Sequence, residues 1–80
     1  MSYNNAKLIS TTYTGNTTFT GERGREYFMI QATDAALTVE FGGGTGGVSV
    51  PVGGFYEPYV SPSSEINVVT TGSFVVVSNV

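Results

Sequence analysis

The residues that could do chemistry in this chain are few, and most arrangements are excluded by inventory. There is no histidine and no cysteine, so neither Ser-His-Asp nor Cys-His catalysis is available, and acid/base work falls to carboxylates, tyrosines or Lys7. Glu57 and Glu65 could pair as glycosidase carboxylates. An 80-residue chain leaves little room for the enclosing cleft such chemistry needs, and no catalysis is expected. Gly42, Gly44 and Gly47 satisfy G-x-G-x-x-G after a strand-like run. A dinucleotide site needs that loop to open a helix whose N-terminus receives the pyrophosphate, and here strand-like Val48-Ser49-Val50-Pro51 follows instead. The loop reads as a flexible connection between strands. Zinc would need cysteine or histidine and calcium an Asp-rich loop, so no metal or cofactor is expected.

What remains are contact residues. Phe55-Tyr56-Glu57-Pro58-Tyr59 brings three aromatics onto a proline-stiffened segment, where large side chains make interface anchors at low entropic cost. The alternative is that Phe55 and Tyr59 cap the core. Glu22-Arg23-Gly24-Arg25-Glu26 gathers four charges into five residues. Arg23 and Arg25 could form inter-subunit ion pairs there, against the plainer reading of a solvated turn. Asn16-Thr17-Thr18 fits the glycosylation acceptor pattern, without a leader sequence to support that use.

Charge and composition narrow the classes further. Three cations against six carboxylates give a net charge of −3, too little positive charge for a phosphate-binding stripe, so nucleic acid is not an expected partner. Charged residues make up 11% of the chain, against about 25% in an ordinary soluble domain. Serine, threonine, asparagine and glycine fill the polar quota, giving a surface that loses little desolvation energy when covered. The composition also fits a secreted β-domain with a neutral surface. No window approaches the roughly 18 apolar residues of a membrane helix. The opening residues have no basic start followed by an apolar run, so a soluble, unprocessed chain is expected.

The elements that must position these residues read as strands throughout. Leu8 to Thr14 and Thr17 to Thr20 are Thr-rich runs broken by Gly15-Asn16, predicting a peripheral ribbon with Leu8, Tyr13 and Phe19 as inward anchors. Tyr27 to Ala32 is almost continuously apolar, as in a buried strand. Thr33-Asp34-Ala35 is a turn in which the aspartate can bond its own backbone. Leu37, Val39 and Phe41 alternate with Thr38 and Glu40, giving a strand with one wet side. Pro51 cannot donate to a ladder, so Val48 to Val52 belongs at an edge.

The last segment organises the rest. Glu65 to Ser78 carries two runs of β-branched and aromatic residues joined by a Thr-Gly pair, predicting a hairpin with Gly72 at φ > 0. Phe74 to Val77 is apolar at every position, so both faces of that strand need cover. With no disulfide or zinc to staple so small a core, association with copies of itself or a partner is the remaining source of stability.

Counting runs predicts one all-β domain over residues 1–80. It is a compact β-sandwich or small barrel of seven to eight short antiparallel strands, the jelly roll being one such form.

Tyr3 to Ser10, Gly15 to Gly21, the Val50-Pro51-Val52-Gly53 step and the closing Thr-Gly segment together resemble small all-β accessory proteins encoded by tailed bacteriophages. The resemblance spans most of the chain, rests on strand and turn formers, and carries over no functional residue. It implies a virion component on the capsid exterior: a decoration or cement protein with the major capsid protein as partner, clustered as a homotrimer or other homo-oligomer. Phe55, Tyr56 and Tyr59 would be its contacts, and residues 1–7 an extended arm. The alternatives are a tail, fibre or baseplate component, or a carbohydrate-binding module using the same aromatics with Glu57.

Overall fold

The structure is a computed structural model and describes residues 7–80. The expected N-terminal arm therefore lies outside the described residues, except for Lys7. Eight strands form: β1 (Ile9–Thr14), β2 (Thr17–Phe19), β3 (Phe28–Ala32), β4 (Leu37–Phe41), β5 (Val48–Val50), β6 (Phe55–Tyr56), β7 (Ile66–Thr70) and β8 (Ser73–Ser78). They make two four-stranded antiparallel sheets, ordered β1-β8-β3-β6 and β2-β7-β4-β5.

The pairing is nested: β1 with β8, β2 with β7, β3 with β6 and β4 with β5. A single long antiparallel ribbon, with its tip at the β4–β5 hairpin, is thus wound so that successive pairs fall in alternate sheets. The contacts β3–β8 and β4–β7 close each sheet. This is the strand order of the eight-stranded jelly roll. Each arm bends from one sheet to the other three times, and the two arms bend side by side. At the first bend Gly15 N–H donates to Gly72 O at 2.9 Å. At the second Glu22 N–H donates to Ser63 O at 2.9 Å, and at the third Ala32 N–H donates to Gly54 O at 3.0 Å.

This winding corrects the predicted closing hairpin. β7 and β8 do not pair with one another; they lie in different sheets, and Thr71-Gly72 is one arm of a bend. Gly72 is not at positive φ. It is glycine because a Cβ there would stand 2.2 Å from Asp34 Oδ1 and 2.6 Å from Ala35 Cβ. Asp34 does not bond its own turn but accepts from Ser73 N–H at 2.6 Å, tying the third bend to the first. β1 and β2 are likewise edges of opposite sheets rather than a paired ribbon. The hairpin that does exist, β4–β5, turns through the glycine loop, with Gly42 and Gly43 at φ 63° and 75° and no helix.

The core between the sheets is apolar. Phe28, Ile30, Ala32, Phe74 and Val76 from one sheet meet Leu37, Val39, Val50, Ile66 and Val68 from the other. The alternation of β4 and the edge position of β5 are as predicted. Tyr13 and Phe19 pack against this core, their rings edge to face at 5.0 Å between centroids. Leu8, the third predicted anchor, is instead 54% exposed, just ahead of β1.

Candidate functional site

The two outer faces of the sandwich differ in chemistry. Strand period 2 sends Thr18, Thr38, Glu40, Asn67 and Val69 outward from the β2-β7-β4-β5 sheet. Three of these form a polar row across it. Thr18 Oγ1 donates to Asn67 Oδ1 at 3.0 Å, and Asn67 Nδ2 donates to Glu40 Oε1 at 3.1 Å.

The other sheet has no charged residue in any of its four strands. Its outer face is laid out by register. One row runs Ser10, Val77, Met29, and the next runs Thr12, Val75, Gln31, Phe55. Val75, Val77 and Met29 are half-buried by their neighbours, and Phe55 stands 66% exposed at the end of its row. Neighbouring strands lie about 4.8 Å apart, so these side chains form one continuous neutral surface. The outer side of the all-apolar Phe74 to Val77 run is therefore left without a protein layer over it, among the described residues.

The predicted contact residues separate in space. Phe55 points outward on this face. Tyr56, its neighbour, points inward, where it packs against the core with Phe41 at 6.2 Å between ring centroids. Tyr56 thus caps the core, the role weighed in the sequence for Phe55 and Tyr59. Tyr59 is fully exposed in the segment after β6.

Arg23 is exposed, but Arg25 is only 8% exposed, which takes it out of any contact surface. Its guanidinium instead fastens the second bend. Nη1 donates to Pro62 O at 2.8 Å and Ser64 O at 3.2 Å, and Nη2 donates to Thr20 O at 3.0 Å. Ser61 Oγ donates back to Arg25 O at 3.0 Å. Burial pushes the Arg25 pKa below the ordinary arginine value, while nearby Glu22 acts in the opposite direction. Three carbonyl acceptors stand where a carboxylate partner would otherwise be needed to hold the cation.

A second candidate is a cleft of about 320 Å³ lined by Glu26, Tyr27, Phe28, Glu57, Pro58, Tyr59 and Ser61. Tyr27 OH donates to Glu57 Oε2 at 2.5 Å. That bond, with lesser help from desolvation and the carboxylate charge, raises the Tyr27 pKa above its ordinary value. Asn79 positions this cleft: Oδ1 accepts from Glu26 N–H at 2.7 Å and Tyr27 N–H at 3.2 Å, and Nδ2 donates to Gly24 O at 2.8 Å. Nothing local in the sequence marks Asn79, because its partners lie more than fifty residues away. The Glu57–Glu65 pairing does not form a site, since Glu57 engages Tyr27 and Glu65 precedes β7 outside this cleft. No group of three or more metal-ligating side chains occurs among the described residues.

The molecule is a small antiparallel β-sandwich of jelly-roll topology with one neutral outer face. Comparison of the chain with protein-family models, with curated proteins and with solved structures finds no match.

Proposed function

We propose that this protein is a non-catalytic structural module that adheres to another protein surface through the outer face of the β1-β8-β3-β6 sheet, as a decoration protein on the exterior of a bacteriophage capsid. The observation that carries the reading is the charge-free face of Met29, Val75, Val77 and Phe55. Covering it removes apolar area from water and desolvates no ionised group, so the hydrophobic gain is opposed only by weak polar terms. The phage resemblance supplies the partner class, a shell built of repeated subunits. A protein that binds only the assembled shell stabilises it by mass action, and many copies on a lattice need little affinity each. The jelly roll itself does not choose, since capsid proteins and lectins both use it.

The test is the ratio of this chain to the major shell protein in purified particles, by quantitative mass spectrometry. A ratio comparable to the shell subunit supports decoration. A few copies per particle would assign it to the tail or baseplate, and absence would overturn the virion reading. Val75→Lys should lower the ratio without lowering the unfolding midpoint.

A second reading rests on the Tyr59 cleft, where an exposed ring, two carboxylates and Ser61 have the make-up of a saccharide subsite. Binding on a glycan array that is lost in Tyr59→Ala would favour it.

A further inference from the structure

We infer that two copies of this chain join edge to edge through β1, continuing the neutral sheet across a twofold axis beside Thr11. A sandwich of two four-stranded sheets has four edges, and three of them are poor templates. β6 has two residues with Pro58 shortly beyond, β5 has three and runs into Pro51, and β2 has three. β1 has six residues, Ile-Ser-Thr-Thr-Tyr-Thr, with no charge and no proline. Its register to β8 runs unbroken from Ile9↔Ser78 to Thr14↔Ser73, without a bulge. Among the described residues, none of the devices that normally blunt an edge is present. On an edge strand half of the backbone N–H and C=O groups point away from the sheet. Among the described residues no backbone hydrogen bond reaches β1 apart from its ladder to β8.

The inner face of β1 gives a second, independent observation. Ile9, Thr11 and Tyr13 share the face of Ser78, Val76 and Phe74, which is the core side. Tyr13 is covered, stacked on Phe74 at 5.6 Å and edge-on to Phe19. Ile9 points the same way yet is 55% exposed, beside a cavity of about 50 Å³ whose lining includes Phe28, Val76 and Val80. A core-directed isoleucine is thus left open at the one long edge.

A second copy is the occupant that completes both features. Directly opposed residues of an antiparallel pair share a face, so a self-pairing of β1 is restricted to registers centred on a residue. Centring it on Thr11 sets Ile9 opposite Tyr13 of the second copy and Ser10 opposite Thr12 of the second copy. Each exposed isoleucine then gains an aromatic neighbour across the strands, a favourable class of cross-strand pair. No strand of this sheet carries a charge, so the paired β1 strands set no like charges opposite one another, although each copy carries −3. Leu8, Ile9 and Val80 are each more than half exposed and add apolar area to the backbone pairing. A standard interface of about 800 Å² per partner would take about a sixth of the 4775 Å² surface. This inference stands apart from the adhesion reading, because it concerns the edge and needs no shell.

Sedimentation equilibrium of the full chain at high micromolar concentration should give twice the 8.4 kDa chain mass. Thr11→Lys and Thr11→Glu should each be monomeric, since the axis sets two like charges face to face, and an equal mixture of the two should recover the dimer. Amide exchange along β1 in the unmodified chain should slow as concentration rises, a reading that does not depend on either variant folding. A monomer or trimer in the unmodified chain, exchange independent of concentration, variants that dimerise as the parent does, or a folded mixture that stays monomeric would each overturn the inference.

Discussion

Arg25 Nη1 lies 2.8 Å from the carbonyl oxygen of Pro62, so that a cation in one arm of the ribbon closes the arm bending beside it. Two further carbonyls, of Ser64 and Thr20, complete the clasp. The fold is a wound ribbon, and this is the bend where the connections between strands are longest. A charged donor shared among carbonyls is therefore placed where regular pairing is absent.

Arg25→Ala should destabilise the protein by about 2 kcal/mol, since hydrogen bonds from charged donors contribute more than neutral ones. Arg25→Lys should recover less than half, because an ammonium cannot span acceptors arranged for a planar fork. Urea midpoints at constant m would show both.

Two glycines should respond to alanine for different reasons. At Gly72 the new Cβ meets Asp34 Oδ1 and Ala35 Cβ, so the two bends must part, at a cost of about 1–3 kcal/mol. At Gly43 there is open space but φ is 75°, and the left-handed backbone alone should cost about 1 kcal/mol. Adding Asp34→Gly removes one of the two contacts at Gly72 and leaves Ala35 Cβ, so it should relieve the first cost only in part, against the lost Ser73 bond, and leave the second unchanged, which a double-mutant comparison of thermal midpoints would reveal.

Among the described residues, Phe74 is the largest fully buried side chain. Truncation to alanine should cost about 3–5 kcal/mol. Taken from a total of about 5–10 kcal/mol, this is a large fraction of the stability and should be visible as a strongly lowered thermal midpoint in circular dichroism.

Tyr27 should ionise above its ordinary value of 10.0, because neutral phenol donates to Glu57 and phenolate cannot. Its folded-state value is raised, so the stability it contributes is fully present below the unfolded value near 10 and disappears as pH rises through the folded one. Glu57→Gln should bring the titration back toward normal. Ultraviolet difference titration of the parent and the variant would follow this, with the unfolding midpoint of the parent falling in the same alkaline window.

Much of the secondary structure was legible from residue order. Alternation placed Leu37 and Val39 inward, β-branched runs located β7 and β8, and Pro51 put β5 at an edge. Period 2 is a local property that states which faces are apolar, so the outward Val75 and Val77 were visible as a question. Tyr56 and Phe55 show the limit. Both are aromatics in one short strand, and which faces the core depends on register with Ile30 and Gln31. Arg25 shows another, for its three acceptors are carbonyls that residue type does not announce.

Sequence by itself determined an all-β domain with few charges and with neither histidine nor cysteine, because those are matters of composition and short-range pattern. Tertiary structure alone decided that Thr71-Gly72 is a bend between sheets and not a hairpin. Strand pairing is chosen by how a whole ribbon buries its apolar faces across two layers, and that choice is made among residues far apart in the chain, such as Gly15 and Gly72, 57 positions apart.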